Sequence, residues 1–214
     1  MRQRLPQAWV GWFRRLRLAL ALVLLGLLAS GPAFAANPSW DMSQGNRAAK
    51  VTVVEYASVS CPVCGRWFKE VYPAFKAKYI DTGRVHFVTR EMLVGGPGEV
   101  SIATAGFLAA RCAGKQNYYK VTDAIYLSQP GLYDDPFATL LKIAASAGLT
   151  PAKFKICVTN TAAIEALNRR VRGYVENDHV AGTPTFVING EPLETGYHPL
   201  SDLDAAIASA EAGK

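Results

Sequence analysis

The sequence predicts an α/β fold whose sheet is started early in the chain and finished near its end, with a helical block inserted between the two parts. Three observations carry that expectation. Residues 50–91 read as strand, helix, strand at the length of a βαβ unit. Residues 98–179 hold several helical patterns and no convincing strand. Near the C-terminus FVING is a β run closed by Asn189-Gly190, a strong hairpin turn. With 214 residues, 50% hydrophobic and 19% charged, at a mean hydropathy of +0.09, the chain can bury a core and is neither disordered, collagen-like nor polytopic.

Residues 1–35 read as a secretory signal that is removed. Arg2, Arg4, Arg14, Arg15 and Arg17 precede an apolar run from Leu18 to Ala29, then Ser-Gly-Pro and the small-residue site Ala33-Phe34-Ala35. That run of 12 residues is shorter than the roughly 20 a helix needs to cross a bilayer. An uncleaved anchor is the alternative, and the A-x-A site speaks against it. Arg14-Arg15 alone does not specify a twin-arginine export route. The signal also accounts for the charge. A net +6 and a pI of 9.2 suggest nucleic-acid binding, but those five arginines face no acidic residue in the segment. The remainder carries 18 basic against 17 acidic residues, so no nucleic-acid partner is expected. All four cysteines follow Ala35, in an oxidising compartment that permits disulfides.

Residues 36–49 are polar and turn-rich and are expected to be a lead-in. KVTVVEYA, residues 50–57, is short and β-branched, hence a buried strand. From Cys61 to Tyr79 the residues Cys64, Phe68, Val71, Phe75 and Tyr79 recur at helical spacing, and Pro73 should kink that helix. Asp81-Thr82-Gly83 ends it, and residues 84–91 form a second strand, parallel to the first through a right-handed crossover. Helices are expected at 99–113, 117–127, 135–147, 151–158 and 161–177, with breaks at Pro130-Gly131 and Gly148-Leu149. A return strand at 191–194 and an Ala-rich amphipathic helix at 200–212 finish the chain. The expected organisation is 50–97 with 180–214 as one discontinuous domain, and 98–179 as the inserted helical domain.

The chemistry concentrates at Ser60-Cys61-Pro62-Val63-Cys64, where a strand turns into a helix. The free N–H groups and the dipole at a helix start favour an anion, which lowers a thiol's pKa. Cys61 should therefore be the exposed thiolate and Cys64, one turn in, the shielded resolving thiol. Pro62 fits the first turn, where no intrahelical donor is lost. A lone C-x-x-C can also be half a zinc site. Cys112 and Cys157 form no second C-x-x-C, and His86, His179 and His198 show no ligand spacing, so redox chemistry without metal is the reading taken. Cys112 and Cys157 themselves fall in helical patterns. They are either a structural disulfide, the preferred reading, or two buried free thiols.

Thr183-Pro184 follows a glycine at the entry to a strand and is a candidate cis peptide; taken alone, an ordinary trans proline explains it as well. Together, EYASVSCPVC and the distant GTPTFVING resemble the thioredoxin superfamily. The helical block between them makes the chain similar to DsbA-like periplasmic thiol–disulfide oxidoreductases, from about Gly45 to the C-terminus.

That resemblance implies a thioredoxin fold with an inserted helical domain, a periplasmic location, no cofactor, and the family's roles at matching positions. Cys61 matches the nucleophile, Cys64 the resolving cysteine and Pro184 the cis proline. Thr183 matches the residue whose backbone pairs with bound peptide. Glu55 matches the acid buried beneath the dithiol, where it could relay a proton to Cys64. A strand-end glutamate facing solvent is its alternative. Val63 departs from the histidine that the family's strongest oxidases carry there; valine cannot stabilise a thiolate, so a weaker oxidant is expected. The implied partners are reduced or unfolded secreted proteins as substrates and a DsbB-like membrane quinone reductase for reoxidation. Isomerases of the family usually carry an N-terminal dimerisation domain, and residues 36–49 are too short for one, so a monomeric oxidase is the first expectation. A reductase or isomerase is the alternative within the class, and a dithiol copper carrier the alternative outside it.

Overall fold

A computed structural model describes residues 40–129 and 131–213. The expected signal, the start of the lead-in and Pro130 lie outside them. Five strands, β1 (Met42–Gly45), β2 (Val51–Ala57), β3 (Val85–Glu91), β4 (Thr185–Ile188) and β5 (Glu191–Pro192), form one mixed sheet in the order β1-β3-β2-β4-β5. β2 lies at its centre, as its composition demands: every residue but Thr52 is buried, so both faces are covered. It runs parallel to β3, with Val53 opposite Phe87, and antiparallel to β4, with Glu55 opposite Phe186.

The eight α-helices of the described residues are α1 (Pro62–Glu70), α2 (Tyr72–Phe75), α3 (Pro97–Cys112), α4 (Tyr118–Leu127), α5 (Pro136–Ser146), α6 (Pro151–Val158), α7 (Thr161–Glu176) and α8 (Leu200–Glu211). On one face of the sheet Val51, Val53, Phe87 and Phe186 pack with Trp67 and Phe75 of the first crossover and Leu203 of α8. On the other face Val54, Tyr56 and Val88 meet Tyr174 of α7. The helical block has its own core around Phe107, Tyr118, Ile125, Leu140 and Phe154, and that core includes Cys61 and Cys64.

Two devices tie the block together and to the sheet. Cys112 at the end of α3 and Cys157 in α6 are joined in a disulfide, with Cα atoms 6.2 Å apart. Closing a loop across a separation of 45 residues contributes about 4 kcal/mol by the chain-entropy argument. Glu91, at the end of β3 and 1% exposed, accepts from Arg111 Nε at 2.7 Å, Arg170 Nη2 at 2.7 Å and the Tyr118 hydroxyl at 3.1 Å. A carboxylate that deep is tolerated because two guanidinium groups and a hydroxyl donate to it.

The departures from expectation are local. The lead-in contains β1, which pairs antiparallel with β3 at the sheet edge; four polar-to-neutral residues carry no readable period. The helix expected over 61–79 breaks at Val71 rather than bending. Pro73 offers no N–H to the Lys69 carbonyl, so a second short helix starts at Tyr72 and runs into a π-helical turn, Lys76–Ile80. The return strand is only Glu191–Pro192. Asn189 and Gly190 both hold positive φ, 50° and 95°, as a tight hairpin turn needs.

Candidate active site

β2 delivers the chain to the site and α1 receives it. Cys61 is the N-cap of α1: its backbone is extended, its N–H donates to Ser58 O at 3.0 Å, and its Sγ accepts from the Cys64 N–H at 3.5 Å. Pro62 occupies the first helical position, where it removes no helix hydrogen bond. Cys64 lies one turn on and is 1% exposed. Both cysteines are free thiols. The Thr183-Pro184 peptide is cis, and its threonine carbonyl lies 3.6 Å from Cys61 Sγ. This neighbour corrects one expectation. Cys61 is not an exposed thiol: it is 9% exposed, because the segment before β4 packs beside it. Pro62 and Val63 are the exposed members of the motif, Val63 at 40%.

The two thiols are electrostatically unlike. The Cys61 pKa is lowered from 9.0 to about 6, chiefly by the hydrogen bond from the Cys64 thiol. Burial opposes the shift, while the Thr183 side chain and the Cys64 and Val63 N–H groups add to it. Cys64 is pushed well above the ordinary thiol value, first by burial and then by Cys61. Glu55 is buried on the β2 face that also carries Val51 and Val53, beneath α1. Burial, then the charge of Asp123, then that of Cys61, raise its pKa from 4.5 to about 8. At neutral pH it is a carboxylic acid.

The turn between β2 and α1 is gripped from the helical block. Gln129, buried after α4, donates through Nε2 to the Val59 carbonyl at 2.6 Å. The Tyr133 hydroxyl donates to the Ser60 carbonyl. Gly65 in α1 makes the first contact possible: a Cβ there would lie 2.1 Å from Gln129 Oε1.

A family model described as thioredoxin matches residues 39–208. The chain belongs to the thioredoxin family. Among solved structures, this thioredoxin-family protein is similar to Wolbachia pipientis alpha-DsbA1, with a TM-score of 0.73 at 20% identity over 84% of this chain and 94% of the other. It is similar also to a thioredoxin-like oxidoreductase from Silicibacter pomeroyi DSS-3, with a TM-score of 0.67 at 25% identity over 82% and 95% of the two chains. The fold is therefore the thioredoxin fold with a helical insertion, as in the Wolbachia structure. A Rickettsia bellii (strain RML369-C) protein, provisionally named a protein-disulfide oxidoreductase, is 31% identical over 173 residues. That match covers 79% of this chain, and the chain spans only 64% of the length of that curated relative.

The structure of this thioredoxin-family protein brings Cys61, Cys64, Pro62, Val63, Thr183 and Pro184 to one place, with Glu55 beneath them. Cys112 and Cys157 lie apart from it, in the helical block. Sequence reasoning missed Gln129, Tyr133 and Asp123, all supplied by the inserted block. Asp123 was findable: it is an acid between Tyr119 and Tyr126 on a helix whose other flanking residues, Val121, Thr122 and Ile125, are buried. Gln129 and Tyr133 carry no such signal. Replacing Gln129 with alanine is expected to cost about 1–3 kcal/mol, since the buried Val59 carbonyl loses its donor. Urea unfolding checks that figure, and a shift in the Cys61 titration in the same variant would show that the grip also positions the thiol. An unchanged midpoint and titration would mean the contact is incidental.

Proposed function

We propose that this protein is a thiol–disulfide oxidoreductase that oxidises reduced secreted proteins in the periplasm. The observation that carries the reading is the asymmetry of the dithiol: Cys61 ionises at about 6 while Cys64 is held protonated. A substrate thiolate attacks Cys61 Sγ of the Cys61–Cys64 disulfide. The enzyme S–S bond breaks, Cys64 leaves as a thiolate, and neutral Glu55 gives it a proton. A second substrate thiolate attacks the substrate sulfur of the mixed disulfide, and Cys61 leaves as the stabilised thiolate. Two electrons have passed from the substrate dithiol to the enzyme. The Thr183 carbonyl and N–H flank the peptide, and Pro184 shapes the wall against which it lies. A DsbB-like membrane quinone reductase would return the dithiol to the disulfide.

Cys61 and Cys64, Glu55 and the Thr183-Pro184 peptide all come from one chain, so a monomer suffices. Residues 50–97 with 180–214 act as the catalytic domain, and 98–179 as the helical domain that covers it. No helix among the described residues is long and apolar enough to cross a membrane.

Direction follows from thiolate stability. A folded Cys61 pKa of about 6, below its ordinary 9.0, stabilises reduced protein fully above pH 9 and loses that contribution as pH falls through 6. The disulfide form has no such contribution, so the enzyme is an oxidant. Without a histidine at Val63 it is a moderate one. A glutathione redox titration is expected to place the potential between about −270 and −120 mV, the values of thioredoxin and of the strongest oxidase of this type. A value at or below the lower limit would reverse the direction and favour a reductase or isomerase. Val63→His should raise the potential and lower the Cys61 pKa together; if it moves neither, position 63 does not set oxidising power.

A further inference from the structure

A buried general acid must be resupplied after every turnover, and Glu55 is buried. Beneath α1 lies a cavity of about 20 Å³, enough for one water molecule, and Glu55 forms part of its wall. Two acidic side chains line it. One is Glu55 and the other is Asp123 of α4, which is only partly buried and reaches the outside. Thr89, Thr122 and Tyr119 line the cavity as well, and the Tyr119 hydroxyl donates to Thr89 Oγ1 at 3.2 Å. Resting on the thiol-exchange reading above, we propose that Asp123 is the outer station of a proton route that runs from solvent through this cavity to Glu55 and on to Cys64.

The step balances. Glu55 loses its proton to the Cys64 thiolate when the enzyme disulfide opens. The resulting Glu55 carboxylate takes a proton from the Asp123 carboxyl across the cavity, and Asp123 takes one from bulk water. On reoxidation Cys64 gives up its proton and the route runs outward. Asp123 acts through Glu55 and touches no substrate, so it is a positioning residue.

The surroundings fit a relay. Burial raises the Asp123 pKa from 3.8 to about 7, and Lys76 of the π-helical turn holds it from rising further. A group titrating there both accepts and releases protons near neutrality. The other groups facing it are Glu55 from β2, Tyr72 from α2, and Tyr119 and Tyr126 from its own helix, with Cys61 beyond Glu55. The three tyrosines are all held above their ordinary pKa by burial and stay neutral.

The test is the pH profile of single-turnover reduction of the oxidised protein by dithiothreitol, from pH 5 to 9, for wild type, D123N, D123E, E55Q and the E55Q/D123N pair. D123N should move the upper inflection down by about one pH unit, since a charge beside Glu55 is gone. It should slow the reaction roughly tenfold above neutrality, and D123E should restore both. In the E55Q background D123N should do nothing more, because the two act in series. The proposal is overturned if D123N keeps the wild-type profile while E55Q loses its inflection, or if D123N slows E55Q as much as it slows wild type. A folded wild type that exchanges no disulfide at all overturns the thiol-exchange reading and this route with it.

Discussion

Cys61→Ser is expected to reduce disulfide exchange to the uncatalysed background, while Cys64→Ser leaves a protein that accumulates mixed disulfides through Cys61, because the internal escape thiol is gone. The difference follows from position. Cys61 alone combines the helix N-cap, a neighbouring thiol donor and a cis-proline segment beside it. At pH 7 a thiol titrating at about 6 is about 90% thiolate, against about 1% for one at 9.0, so the reactive form is enriched almost a hundredfold. Cys64, buried and pushed upward, supplies no comparable nucleophile when Cys61 is gone. Comparing two Cys64 variants separates the causes. Serine keeps a donor for the Cys61 thiolate and alanine does not, so Cys64→Ala should raise the Cys61 pKa by about one unit or more relative to Cys64→Ser. Thiolate absorbance against pH reads this, and mass spectrometry with glutathione reads the trapped adduct. Equal titration in the two variants would show that the helix start, and not the Cys64 thiol, dominates.

Glu55→Gln should make the oxidised protein more stable in alkali, by less than about 5 kcal/mol near pH 9, because the Cys61 charge that adds to the Glu55 shift is absent from the disulfide, and by little near pH 4. Unfolded Glu55 ionises at 4.5, whereas folded Glu55 stays protonated to about 8. Between those values the folded state holds the extra proton, so wild-type stability falls as pH rises through the window. Glutamine is neutral throughout and removes that fall. Asp123, raised to about 7, imposes a similar slope at lower pH, which Glu55→Gln leaves in place. Reduced protein is the wrong form for this measurement, because Cys61 pulls the other way between 6 and 9. Urea unfolding of the two oxidised proteins at pH 5, 7 and 9 settles it; parallel curves would mean that Glu55 is not the buried proton. The same variant should exchange disulfides more slowly at neutral pH, by roughly a hundredfold, since the Cys64 thiolate loses its acid.

Strands β2 and β3, the crossover, the helices of the inserted block and the closing hairpin could all be read from local pattern, because each is specified by residues close in sequence. VTVVEYA needs no distant partner to be a buried strand, and Cys61-Pro62 marks a helix start by its own chemistry. The break at Val71 and the edge strand Met42–Gly45 escaped, the first because Pro73 decides between bend and break only against its packing, the second because its pattern is its partner's. The sequence by itself determined the dithiol, its place at a helix start, and the candidate companions Thr183-Pro184 and Glu55. Only the tertiary structure decided that Cys61 is covered, that Gln129 and Tyr133 grip the turn before it, and that Asp123 shares a cavity with Glu55. The hydrogen bonds among those contacts join residues 70 to 122 positions apart, and burial and pKa depend on what lies across the gap, which no local spacing encodes.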